Sequence, residues 1–154
     1  MNFPHKKRKN TDMSFYVRQA DWESDQTQIS AIRQQVFIDE QHVPAELEWD
    51  GLDETALHLL AVAEDGKSIG CARILSDGSI GRMAVLQAWR RQGVGQALLQ
   101  AAIESCRQNG WFDIHVSAQT HALAFYEQAG FHGVGEEYMD AGIPHQAMKL
   151  HISN

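Results

Sequence analysis

With 154 residues, 44% of them hydrophobic and 21% charged, the chain is long enough for one domain with a full core, too short for two, and globular rather than disordered. No apolar run approaches the roughly 20 residues of a membrane span, and the opening "MNFPHKKRKNTDM" has no apolar segment behind its basic residues, so the chain reads as soluble, unsecreted, cytoplasmic and without a membrane partner. The net charge of −7 is uneven: Lys6, Lys7, Arg8 and Lys9 face only Asp12, which leaves the body at −10 and argues against nucleic acid as a partner of the domain.

Residues 1–12 read as a basic, unstructured tail. "MSFYVRQADW" makes a natural beginning at Met13, so the tail is expected to be leader sequence ahead of a domain spanning 13–154. Phe15 to Gln19 alternates apolar and polar residues as an edge strand would, and Ile29, Ile32, Val36 and Phe37 recur at helical spacing. Leu57–Glu64 and Ser68–Leu75 are apolar runs joined by Asp65-Gly66-Lys67, a hairpin signal. A turn at Ser76-Asp77-Gly78 leads into a third antiparallel strand, Ser79–Leu86. The period then changes. From Gly93 to Asn109 the polar residues Gln96, Gln100, Glu104 and Arg107 form one narrow stripe on an otherwise apolar helix, which is therefore expected to be largely buried. Asp113–Ala118 reads as a strand and Ala122–Ala129 as a short helix with a Schellman stop at Gly130-Phe131, in which Phe131 folds back on Phe125 or Tyr126. Gln146–Ile152 is the final strand. The layout is mixed α/β: antiparallel strands, then strand, helix, strand, helix, strand. Cys71 and Cys106 lie in apolar surroundings and form no C-x-x-C pair, so they read as small buried hydrophobes in a reducing compartment.

The stretch "VLQAWRRQGVGQALLQ" raises the question of function. Gly93 and Gly95 turn the chain tightly into a buried helix, leaving first-turn N–H groups without intrahelical partners, and those donors with the helix dipole suit an anion. Arg82, Arg90 and Arg91 strengthen the site, and Gly78 to Ile103 contains no acidic residue. The same residues also fit a plain tight turn with solvated arginines. A Rossmann fingerprint wants a third glycine where Leu98 stands, and a P-loop wants Gly-Lys-Ser/Thr, which is absent.

Arg90-Arg91-Gln92-Gly93-Val94-Gly95, following the strand "GRMAVL", resembles the pyrophosphate motif Gln/Arg-x-x-Gly-x-Gly/Ala of the GNAT superfamily of N-acetyltransferases. "ALAFYEQAGF" is similar to the family's second signature, and "VFIDEQHVP" and "GIPHQAMKL" are similar to its ElaA-like branch, so the likeness covers nearly all of residues 14–151. The resemblance implies a single-domain fold around a splayed central sheet, with acetyl-CoA as acyl donor and an amine as acceptor. It implies that the pyrophosphate sits on the amides of Arg91 to Gln96, next to Arg90, that the pantetheine arm pairs with Met83-Ala84-Val85, and that Gln119 touches the cofactor. A homodimer is compatible with it.

Acetyl transfer needs an acid for the leaving sulfur and a neutral amine. Tyr126 of the second signature fits the acid, because a phenol of pKa about 10 stays protonated at neutral pH. Between Arg33 and Lys67 there is no Lys or Arg, and seven carboxylates gather within residues 39–54, either as a solvated loop or as an acidic wall for a protonated amine. Glu40 and Glu48 are the candidate bases. His58 and His145 are candidates to bind substrate or act as base. No His-Glu-x-x-His is present, and no metal is expected. A non-catalytic acyl-CoA-binding module would need the anion site but neither Tyr126 nor an acceptor wall.

Overall fold

In the computed structural model, residues 6–7 and 14–153 are described. Strand β1 (Lys6–Lys7) pairs antiparallel with Ser14 and Phe15 at the start of β2 (Ser14–Ala20). At those two residues the chain is paired strand rather than unstructured tail; the rest of that expectation lies outside the described residues. On one side β1 covers Ser14 and Phe15 of β2, and β3 (Leu57–Ala63) runs along the other. β4 (Ser68–Ile74) and β5 (Ile80–Val85) complete a five-stranded antiparallel sheet in the order β1-β2-β3-β4-β5.

The apolar runs of β3 and β4 lack alternation because both faces of this sheet are covered. Leu59, Ala61 and Ala63 enter one core with Leu98, Ala102 and Cys106 of α3 (Val94–Gln108), whereas Leu60 and Val62 enter a second with Ile29 and Ile32 of α1 (Trp22–Arg33). Successive side chains of a strand point to opposite faces, so a strand between two helices is apolar along most of its length. The stripe Gln96, Gln100, Glu104 and Arg107 lies on the less buried side of α3, as its spacing predicts, and both cysteines are buried and free. Burial pushes the Cys71 thiol up to about 12 and the Cys106 thiol up to about 11. Among the described residues, no helix is long and apolar enough to cross a membrane.

The second sheet has the order β6-β8-β7, built from β6 (Asp113–Gln119), β7 (His132–Asp140) and β8 (Ile143–His151). Between β6 and β7, the short helix α4 (Leu123–Glu127) stops in a Schellman turn: Phe131 N–H donates to Tyr126 O at 3.2 Å, Gly130 N–H donates to Glu127 O at 3.0 Å, and Gly130 has φ +102°. Two expectations are corrected here. β7 is a full strand that the layout omits, because "HGVGEEYMD" has no apolar alternation: all nine residues are exposed and the strand bulges between Val134 and Tyr138. β8 begins at Ile143 rather than Gln146; Pro144 weakens the strand signal yet sits opposite Met139 beside the β7–β8 turn, where Ala141 and Gly142 both have positive φ.

A further correction concerns α1. The helical spacing runs on to Phe37, but α1 ends at Arg33 and continues as a π-helical segment over Gln34–Glu40. The wider turn keeps Val36 in the core while placing Glu40 and Gln41 beside the cleft described next.

Candidate active site

β5 and β6 run side by side and parallel but touch at a single bridge, Ser79 opposite His115, with His115 N–H donating to Gly78 O at 3.1 Å. Beyond that bridge the two sheets part. A bulge helps: the β4–β5 register passes from Arg73↔Gly81 to Cys71↔Ala84, so Arg82 and Met83 oppose one residue, and Arg82 takes φ +45°. The resulting cleft, of about 1050 Å³, is walled by β5, the β6–β8 pair, the π-helical segment and the loop that follows it. Met83, Ala84 and Val85 line it, as do Gln119 and Tyr126.

At its end the chain turns through Arg91 (φ +62°) and Gly93 (φ +86°) into α3. Ala97 N–H is the first to reach back, to Gly93 O at 3.0 Å. Among the described residues, the backbone N–H groups from Arg91 to Gln96 have no acceptor. Gly93 is needed for its positive φ, whereas at Gly95 an added Cβ would sit in ordinary contact, 3.6 Å from the Phe125 ring.

The arginines are placed differently from the expectation. No acidic residue opposes them within residues 78–103, but the fold supplies carboxylates from residues 40–50. Arg90 donates from Nε to Val85 O at 3.0 Å and grips Glu40 with both terminal nitrogens, at 2.5 and 2.8 Å. Arg82 reaches Glu48 Oε2 and Asp50 Oδ2, each at 3.2 Å. Of the three, Arg91 alone has no ion-pair partner among the described residues.

The acidic wall is therefore charge-compensated at Glu40, Glu48, Asp50 and Asp53. Fully buried Arg33 holds Glu48 from Nε at 2.7 Å and Asp53 from Nη1 at 2.6 Å, and its guanidinium lies 5.0 Å from the Trp49 ring centre. Arg73 bridges Asp50 at 2.8 Å and Asp53 at 3.1 Å. Neither candidate base is a free carboxylate: Glu48 is buried between Arg33 and Arg82, and the Arg90 guanidinium holds the Glu40 carboxyl below its usual range. Arg33 and Arg73 were not singled out from the sequence. The available signal was an arginine inside the buried run "SIGCARIL", since a charge there requires partners.

The two candidate histidines separate. His58 is buried under Trp22, stacked at 4.9 Å with Nε2 2.8 Å from Asp53 O, and does not line the cleft. Burial pushes its pKa down, so it is a neutral core residue. His145 does line the cleft, stacked on Tyr138 at 5.9 Å. Gln119 donates to Gln41 at 2.9 Å, tying the end of β6 to the π-helical segment. Tyr126 packs edge-on against Phe125 and Phe131, at 5.0 and 5.7 Å, and its burial raises the phenol to about 12. No hydrogen bond engages its hydroxyl among the described residues.

Residues 19–152 match the family described as "Acetyltransferase (GNAT) domain". The chain is 36% identical to the Uncharacterized N-acetyltransferase YjcF of Bacillus subtilis, over 76% of this chain and 86% of that one. It is 35% identical to Protein ElaA of Escherichia coli, over 79% and 84%. The crystal structure of Escherichia coli ElaA superposes with a TM-score of 0.79 at 30% identity, covering 88% of this chain and 99% of that one. An acyl-CoA N-acyltransferase from Pseudomonas aeruginosa superposes with a TM-score of 0.80, also at 30% identity, over 88% and 99%. The loop, the second signature and the mixed α/β fold expected from the sequence thus coincide with homology along most of the chain, which belongs to the GNAT superfamily of N-acetyltransferases, in its ElaA-like branch.

Proposed function

We propose that the protein transfers the acetyl group of acetyl-CoA to a primary amine of a small molecule or peptide, by direct attack within this cleft. The observation that carries the reading is the run of open N–H groups from Arg91 to Gln96, set where the cleft formed by the parting of β5 and β6 reaches the first turn of α3. Such a run, at the positive end of a 15-residue helix, suits a pyrophosphate, and Arg91 adds a free cation. The edge of β5 facing β6 is unpaired beyond Ser79 and is available to the pantetheine amides along Met83-Ala84-Val85. Tyr126 is the acid in this reading. Its raised pKa keeps it protonated across any neutral assay, and its unengaged hydroxyl is available to the leaving thiolate. The two free, buried cysteines fit a cytoplasmic setting.

Purified protein with acetyl-CoA is expected to release free thiol when a suitable primary amine is added, in a screen across alkylamines, amino sugars, amino acids and peptides. Tight CoA binding with no thiol release for any amine would favour a non-catalytic acyl-CoA module instead. The loop has its own test. Gly93→Val forces a β-branched residue to φ +86°, so CoA affinity by isothermal titration should fall at least tenfold, about 1.4 kcal/mol. A change within about twofold, some 0.4 kcal/mol, removes the loop as the phosphate site.

A further inference from the structure

We infer that His145 is the general base that removes the proton from the acceptor ammonium, an inference that rests on the acetyl-transfer reading above. His145 lies on β8, the middle strand of its sheet, opposite Gln119 of β6 and Tyr138 of β7. Its ring is oriented twice. It stacks on Tyr138 with 24° between the planes, and Nδ1 lies 2.7 Å from the Ile143 carbonyl oxygen. A carbonyl can only accept, so Nδ1 carries the proton and the lone pair of the neutral imidazole is on Nε2. Among the described residues nothing meets Nε2. The residue is 8% exposed and lines the cleft, so this lone pair belongs to the cleft wall rather than to open solvent.

The other titratable and charged groups around it are less suited. On β7, the Tyr138 hydroxyl is engaged by Ser117, and Asp140 is exposed beside the β7–β8 turn. On and after β6, His115 is engaged by Ser79, while His121 is exposed on a 3₁₀ turn with no hydrogen bond to orient its ring among the described residues. Across the cleft, Arg82 is committed to Glu48 and Asp50, and Glu40 to Arg90. A carboxylate held by arginine gives up basicity, whereas the backbone hydrogen bond on His145 fixes the ring without neutralising a charge.

The proton inventory closes. Nε2 of His145 takes one proton from R–NH₃⁺, and the freed amine attacks the thioester carbonyl carbon, forming the C–N bond. Collapse breaks the C–S bond, and the thiolate takes the Tyr126 proton. The second amine proton restores Tyr126 through water, and His145 returns its own to solvent, so the net products are amide, free thiol and one proton.

The test uses His145→Asn, whose side-chain amide can still reach Ile143 O, with two acceptors of different basicity. For an alkylamine, protonated at neutral pH, kcat/KM is expected to fall about a hundredfold or more, and the one-proton acid limb of the parent's pH profile is expected to vanish. For an aromatic amine, already neutral, the fall should stay under about tenfold, because no ammonium needs deprotonating. CoA affinity and melting temperature should stay near the parent's. Equal losses on both amines, or a parent-like pH profile in the variant, overturn the assignment. A parent protein that acetylates no amine at all overturns the acetyl-transfer reading first, and this inference with it.

Discussion

Arg33→Met is expected to destabilise the protein by roughly 3–5 kcal/mol, since removing one partner of a buried ion pair leaves the other charge uncompensated. Arg33 is fully buried, and it alone joins α1 to both Glu48 and Asp53. Arg82 and Arg73 remain after the change, but each is already shared with Asp50. For a chain of this length the loss corresponds to a fall in melting temperature of roughly 6–20 °C, read by calorimetry alongside urea unfolding. The double variant Arg33→Met with Glu48→Leu is expected to recover part of that stability, because an apolar pair in a buried site avoids the desolvation cost of the ions. If the single variant melts within about 2 °C of the parent, the network is not what holds the 45–55 segment onto the sheet.

Tyr126→Phe is expected to lower kcat by about ten- to a thousandfold with KM for acetyl-CoA nearly unchanged, because general acid assistance is typically worth 10²- to 10⁴-fold and water can replace part of it. The ring contacts to Phe125 and Phe131 survive the substitution. The lost hydroxyl belongs to a half-buried side chain and has no hydrogen-bond partner among the described residues, so its removal should leave the melting temperature near the parent's. A core tyrosine with a satisfied hydroxyl would show the reverse, lower stability with near-normal turnover. Turnover at the parent rate, where chemistry limits, would assign the acid to water or to another residue.

What made some features readable and others not follows from the distance over which each is decided. The Schellman stop, the hairpin at Asp65-Gly66-Lys67 and the apolar α3 are local: a glycine's freedom at positive φ and a 3.6-residue period act within a few residues, and the structure reproduces them. β7 was illegible because strand patterns register burial, and an exposed strand held by one neighbour carries none. The lone bridge between β5 and β6, and hence the cleft, is a property of two strands far apart in sequence.

By itself, then, the sequence determined the loop and its family: Gly93, Gly95 and the Phe125-Tyr126 pair are short-range signals whose spacing carries their chemistry. It also held a demand that the reading passed over, since an arginine inside the buried run of β4 needs partners. Only the tertiary structure decided who pairs with whom. It matched Arg90 with Glu40, fifty positions away, and drew Arg33, Arg73 and Arg82 onto Glu48, Asp50 and Asp53, neutralising much of the apparent acidic wall and leaving Arg91 as the free cation of the loop among the described residues. It sent His58 into the core and His145 into the cleft. The physical reason is that Coulomb attraction and desolvation depend on distance through space and on burial, and neither is set by separation along the chain.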